Sequence, residues 1–199
     1  MNEIEIKAHV KNRNLLIEKL NKIAQYQGSV VKNDKYYGKK LPDGTFDRKK
    51  IRLREEIFQD NQNKTQYLLT YKRKEIFTSA EGISTEVNDE KECTISSAEP
   101  VLAFLADWGY EVALEKHKEV MSWKYENATL ELCNVFPLGD FLEIEILSPS
   151  ADNETVEKCQ EQIKSILEKL EISQNQIENR YYSQLLEEYK INHSGEEYV

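Results

Sequence analysis

The sequence predicts an α+β domain dominated by eight antiparallel strands. Three observations carry that prediction: short runs alternate apolar with charged residues, turn residues separate those runs, and helical periodicity is confined to four segments. Strands in that number can stack as a sandwich or close as a barrel.

Residues 2–10 alternate Ile4 and Ile6 with Glu3, Glu5 and Lys7 and read as the first strand. Leu16, Leu20, Ile23 and Ala24 recur at helical spacing over 13–26, with Asn12 or Asn14 as cap and Gly28 as stop. A second strand follows at 29–38, then the LPDGTFD turn and strands at 50–58, 66–74 and 82–89. The stretch ISSAEPVLAFLADWGY reads as a helix capped near Ser96 or Ser97, with Pro100 in its first turn and Gly109 at its exit. Strands at 111–125, 128–135 and 141–147 precede an amphipathic helix carrying Val156, Cys159, Ile163, Ile166, Leu167 and Leu170 on one face. The stretch NRYYSQLLEEYK gives a last helix, so one domain is expected over 1–190 and a flexible tail over 191–199.

A net charge of −9 argues against a nucleic-acid or membrane-surface binder, because such contacts need a basic footprint. No run is apolar enough to span a membrane, and the charged start Met1 to Lys7 does not resemble a signal peptide, so a cytoplasmic location is expected. Cys93, Cys133 and Cys159 form no CxxC pair and read as reduced thiols. His9, His117 and His193 have no partner at zinc-like spacing, which leaves a hard, oxygen-liganded cation as the expected metal.

The charged faces are sorted by strand. Glu3 and Glu5 share a face with Lys7, and Glu143 and Glu145 alternate with Leu142, Ile144 and Ile146. Arg52 and Arg54 alternate with Ile51 and Leu53, Thr70, Lys72 and Lys74 share a face, and Lys116 and Lys118 repeat the period of two. A solvated sheet face mixes polar residues without such sorting. If the apolar faces pack outward against helices, the charges line a lumen, as a wide antiparallel barrel allows. Its cations could hold a phosphate chain and its paired carboxylates divalent cations, a combination that suits phosphoryl chemistry.

On the same residues the chain resembles the CYTH domain, or triphosphate tunnel metalloenzyme, family. The family's Glu-x-Glu-x-Lys matches Glu3, Glu5 and Lys7; Arg52 and Arg54 match its basic pair, Lys72 its strand lysine and Glu86 its acidic fifth strand. Lys116 and Lys118 stand where the family has Lys-x-Arg, and LGDFLEIE, with Glu143 and Glu145, resembles its last metal strand. DKYYG and NRYYSQLL look most like the bacterial branch of class IV adenylyl cyclases. One departure stands out: where the family usually has an Asp before LGDF, this chain has Cys133, with Glu131 two residues earlier on the same face, about 7 Å along the strand.

The resemblance implies a closed eight-stranded antiparallel barrel with a charged lumen, covered by helices. It implies that Lys7, Arg52, Arg54, Lys72, Lys116 and Lys118 grip a triphosphate, and that Glu3, Glu5, Glu86, Glu143 and Glu145 hold Mg²⁺ or Mn²⁺. Glu5, Lys7 and Lys72 are the expected catalytic residues. The implied reaction is conversion of ATP to cyclic AMP and pyrophosphate. The alternatives are hydrolysis of tripolyphosphate, thiamine triphosphate or a nucleoside triphosphate, and silent binding of a polyphosphate or nucleotide, the last suggested by Cys133. Tyr36, Tyr37, Tyr181 and Tyr182 could stack on a base, although such aromatics more often pack. The C-terminal helices could form a homodimer face as readily as cover the barrel.

Overall fold

The computed structural model describes residues 2–47, 51–60, 64–78, 84–150 and 152–193, and the side chains of 72–90 lie outside that description. The fold is α+β, with eight antiparallel strands curled around a central space and four helices. The strands are β1 (Asn2–His9), β2 (Gln25–Lys39), β3 (Ile51–Phe58), β4 (Lys64–Thr78), β5 (Ser84–Ile95), β6 (Tyr110–Tyr125), β7 (Ala128–Phe136) and β8 (Gly139–Ser148). Their spatial order is β1-β5-β4-β3-β2-β6-β7-β8, and β8 pairs with β1. The first strand is therefore joined on one edge to β5 and on the other to β8.

The helices are α1 (Arg13–Ile23), α2 (Glu99–Asp107), α3 (Asn153–Lys169) and α4 (Tyr182–Asn192). Asn12 caps α1 by accepting from the Leu15 amide at 3.1 Å, and Asp152 caps α3 by accepting from the Thr155 amide at 2.9 Å. The expected stop at Gly28 is wrong, because α1 ends at Ile23 and Gly28 lies inside β2. There it has φ +133° beside a register shift in the β2–β6 ladder, and a Cβ would stand 2.9 Å from the Asp60 carboxylate. The glycine thus permits both the backbone twist and the Asp60 bond to the Ser29 amide, 2.6 Å long. Neither Ser96 nor Ser97 occupies the cap position of α2, which is Ala98 and makes no side-chain cap bond. A 3₁₀ turn at Gln174–Gln176 was not expected, and α4 continues to Asn192, beyond the expected start of the tail. The rest of that tail, from 194, lies outside the described residues.

The alternation of each strand divides the molecule into an outer apolar and an inner polar shell. Outside, Ile4, Ile6, Leu130, Leu132, Leu142, Ile144 and Ile146 pack with Leu16 and Leu20 of α1 and Ile163, Ile166 and Leu167 of α3. Each such side chain, once fully buried, contributes about 1.5–3 kcal/mol, so this seam clamps α1 and α3 to the sheet. A smaller cluster of Tyr37, Leu53 and Leu105 fastens α2. Inside, one end of the central space is stopped by Val30, Val120, Cys133, Val135, Phe141 and Leu185, the last from α4. Among the described residues no helix is long and apolar enough to cross a membrane.

Candidate functional site

Beyond the apolar stopper, the inner faces of the strands enclose a cavity of about 1090 Å³. Glu3, Glu5 and Lys7 line it from β1, Arg52 and Arg54 from β3, Lys116 and Lys118 from β6, and Glu143 and Glu145 from β8. Nine of the expected site residues therefore share one space. Lys72 and Glu86 belong to β4 and β5, with Glu86 opposite Glu5, but their side chains are outside the described residues.

Register explains how distant sequence segments converge. Glu5 stands between Glu86 and Glu145, and Lys7 stands opposite Glu143, whose other neighbour is Glu131. Because side chains alternate, Glu5 and Glu145 in one row, and Lys7, Glu143 and Glu131 in the other, face inward together. The same rule brings in Lys32, Tyr36, Glu56, Glu92 and Glu131, which line the cavity although the sequence reading named only Glu131, as a substitute carboxylate, and Tyr36, as a candidate stacking ring.

Many of the lumen charges are paired with one another. Lys32 donates to both oxygens of Glu131 at 2.7 and 2.9 Å, and Lys118 to both oxygens of Glu143 at 2.8 and 2.7 Å. Arg52 donates to Thr70 and Glu92 at 3.0 Å each. Asp34, only 1% exposed, accepts from Arg54 through two nitrogens and lies 3.1 Å from the Lys116 ammonium, which also donates to the Tyr36 hydroxyl. Asp34 is a central member of the network that the sequence reading missed. Burial pushes its carboxyl up, but Arg54 and Lys116 outweigh that and hold it well below the usual carboxylate range. Glu143 follows the same logic, lowered by Lys118 and Lys116 against its burial.

Glu145 behaves oppositely. Burial, then the charges of Glu3, Glu5 and Glu131, push its carboxyl up to about 8, with Lys32 opposing weakly. Glu3, Glu5, Glu131 and Glu145 crowd together as an all-oxygen donor set, which fits a hard divalent cation. Cys133 fits one poorly. Its sulfur can approach the carboxylates of Glu131 and Glu143 within 4.8 Å, but burial and the Glu143 charge raise the thiol well above its ordinary range. The residue is fully buried in the apolar stopper, so it packs as a small hydrophobe while Glu131 carries β7's carboxylate into the cavity.

Of the four tyrosines, Tyr36, Tyr181 and Tyr182 line the cavity, whereas Tyr37 is buried on the outer side under α2. The Tyr182 ring lies 5.6, 5.1 and 5.4 Å from the ammonium groups of Lys7, Lys116 and Lys118. Its approach is fixed by the bond from the Glu178 amide to the Lys7 carbonyl, 2.9 Å, and by Arg180 gripping Glu178. Glu178 also meets His9 at 3.0 Å, which places His9 beside the α4 approach rather than in the cavity.

Comparison with known proteins agrees with this architecture. A family model described as the CYTH domain matches residues 1–182. The fold is similar to a Pyrococcus horikoshii protein, at TM-score 0.74 and 22% identity over 94% of this chain and 99% of that one. It is also similar to a candidate adenylate cyclase of Vibrio parahaemolyticus, at 0.69 and 18% over 93% and 97%. A Hippeastrum protein, a candidate adenylyl cyclase described as having a dominant triphosphatase activity, aligns at 0.57 and 15% over 90% of each chain. No curated protein matches by sequence.

Proposed function

The chain belongs to the CYTH domain family, and from that premise we propose that it is a divalent-metal-dependent enzyme that converts ATP to cyclic AMP and pyrophosphate. The observation that carries the reading is one cavity where cations and carboxylates face each other across the strand register. The finer reading takes the strand ring as a closed tunnel, since β1 is paired along both edges. Nucleotide rather than bare phosphate is favoured because Phe46, Leu68, Leu114 and Leu147 add apolar surface to the same lining, where oxyanions have no use for it.

In this reading Lys7, Arg52, Arg54, Lys72, Lys116 and Lys118 bind the phosphate chain, and Glu3, Glu5, Glu86, Glu143 and Glu145 hold Mg²⁺ or Mn²⁺. When bound, the cation neutralises phosphate oxygens and lowers the barrier to deprotonating the nucleophile. The protein's own part is orientation. The ribose 3′ oxygen bonds to the α-phosphorus, the bond from that phosphorus to the bridging oxygen breaks, and the hydroxyl proton passes to a lumen carboxylate. In this reading the lumen lysines offset the charge on the departing pyrophosphate, with catalytic roles for Glu5, Lys7 and Lys72.

A second reading, hydrolysis of a smaller triphosphate, is favoured by one observation. Of the three lumen tyrosines, Tyr36 and Tyr182 carry lysine ammonium groups over their rings, at 5.4 and 5.1 Å from Lys116, which leaves less ring surface to stack on a base. Phosphorus NMR of the protein with ATP and Mg²⁺, then Mn²⁺, separates the two. Pyrophosphate with cyclic AMP supports the cyclase, orthophosphate with ADP supports the hydrolase, and unchanged ATP and tripolyphosphate leave a silent binder. Glu5→Gln abolishes either turnover; activity surviving that change counts against the assignment.

A further inference from the structure

We propose that the Tyr182 hydroxyl is an oxyanion donor at the stopped end of the lumen, there to bond a terminal oxygen of a linear polyphosphate, so that α4 supplies part of the binding site. The proposal rests on the reading of the lumen as a triphosphate site and deepens it, since it assigns a residue and an orientation to the ligand.

Among the described residues the hydroxyl is buried without a hydrogen-bond partner. Buried hydroxyls nearly always have one, because an unmade bond leaves the full desolvation cost standing. Glu143 lies close enough to the phenol for the two groups to shift each other electrostatically, but its oxygens are turned to the Lys118 ammonium and the contact falls short of a hydrogen bond of ordinary geometry. The ring cannot swing the hydroxyl to water. Phe141 packs edge-on against it at 5.2 Å, and Leu185 closes the same apolar cluster.

The surroundings select the ligand's charge. Lys7, Lys116 and Lys118 crowd the ring, against the Glu143 carboxylate. Three cations against the two carboxylates of Glu143 and Glu5 favour an oxyanion as the missing partner, and a phenol bonds it only by donating. The polyphosphate is thereby oriented with its terminal group against the stopper.

The test pairs two measurements on Tyr182→Phe, which keeps the ring and removes only the oxygen. The empty variant should unfold at the same temperature as the unmodified chain or higher, because no bond is lost. Its affinity for tripolyphosphate at fixed Mg²⁺, measured by calorimetry, should fall about ten- to hundredfold, the range for a bond to a charged group. Unaltered affinity overturns the Tyr182 assignment alone. If the unmodified chain binds no tripolyphosphate, the triphosphate reading falls, and this subsite with it.

Discussion

Arg54 of β3 and Asp34 of β2 stand opposite each other and form a two-point ion pair, with Nε 2.6 Å and Nη2 3.0 Å from the two carboxylate oxygens. Two parallel bonds fix the guanidinium plane as well as its position. Since Lys116 shares the same carboxylate, Asp34 sets the pose of two of the lumen's cations at once.

Asp34→Ala should therefore destabilise the fold by about 3–5 kcal/mol, because it leaves buried Arg54 without its counter-ion. Urea denaturation measures the loss. Asp34→Asn, which keeps one acceptor, should cost less.

Glu145 predicts an unusual pH profile. A carboxyl raised to about 8 in the folded protein stays protonated where the unfolded chain has already ionised, so it opposes folding progressively from its ordinary value up to pH 8. Glu145→Gln should raise the metal-free protein's stability at pH 8 by about 1–3 kcal/mol and leave it unchanged below pH 4. Calorimetry in buffers of different ionisation enthalpy should further show that Mg²⁺ binding at pH 7 releases a proton, and that Glu145→Gln suppresses the release.

Glu178 works in the other sense. The Arg180 bond outweighs its burial and holds its carboxyl down to about 2. Its stabilisation is present above the ordinary carboxyl range and is lost as pH falls from there through 2. Arg180 is half-exposed, so Glu178→Gln should cost only about 1 kcal/mol at pH 7, with the difference from the unmodified chain closing towards pH 2 in acid-unfolding curves.

Leu20 is fully buried where α1 meets the sheet. Leu20→Ala should cost about 2–5 kcal/mol in urea denaturation without altering the lumen, since the residue lies in the outer shell.

Much of this architecture was readable because most strands have one apolar face. Ile4 and Ile6, or Leu142, Ile144 and Ile146, declare which side faces the helices, and by elimination Glu3, Glu5, Glu143 and Glu145 face inward. Over residues 32–36 β2 gives no such clue. Lys32, Asp34 and Tyr36 alternate with Asn33 and Lys35, polar on both sides, so Asp34 was invisible as a lumen residue until its pairing with Arg54 was known. Gly28 misled for a different reason: a glycine after a helix usually ends it, whereas here it makes room for Asp60, a contact across 31 positions of sequence. Tyr182 read as a helix start and a candidate stacking ring, and its lysine neighbours stayed hidden because they come from two distant strands.

The place of β1 between β5 and β8 also bears on how the protein is made. The strand carrying Glu3, Glu5 and Lys7 leaves the ribosome before either of its partners, which are encoded some 80 and 140 positions later. At ordinary elongation speeds the last of them follows on the order of ten seconds behind. During that interval Ile4 and Ile6 lack the β8 neighbours they have in the fold, so β1 waits for a partner made long after it.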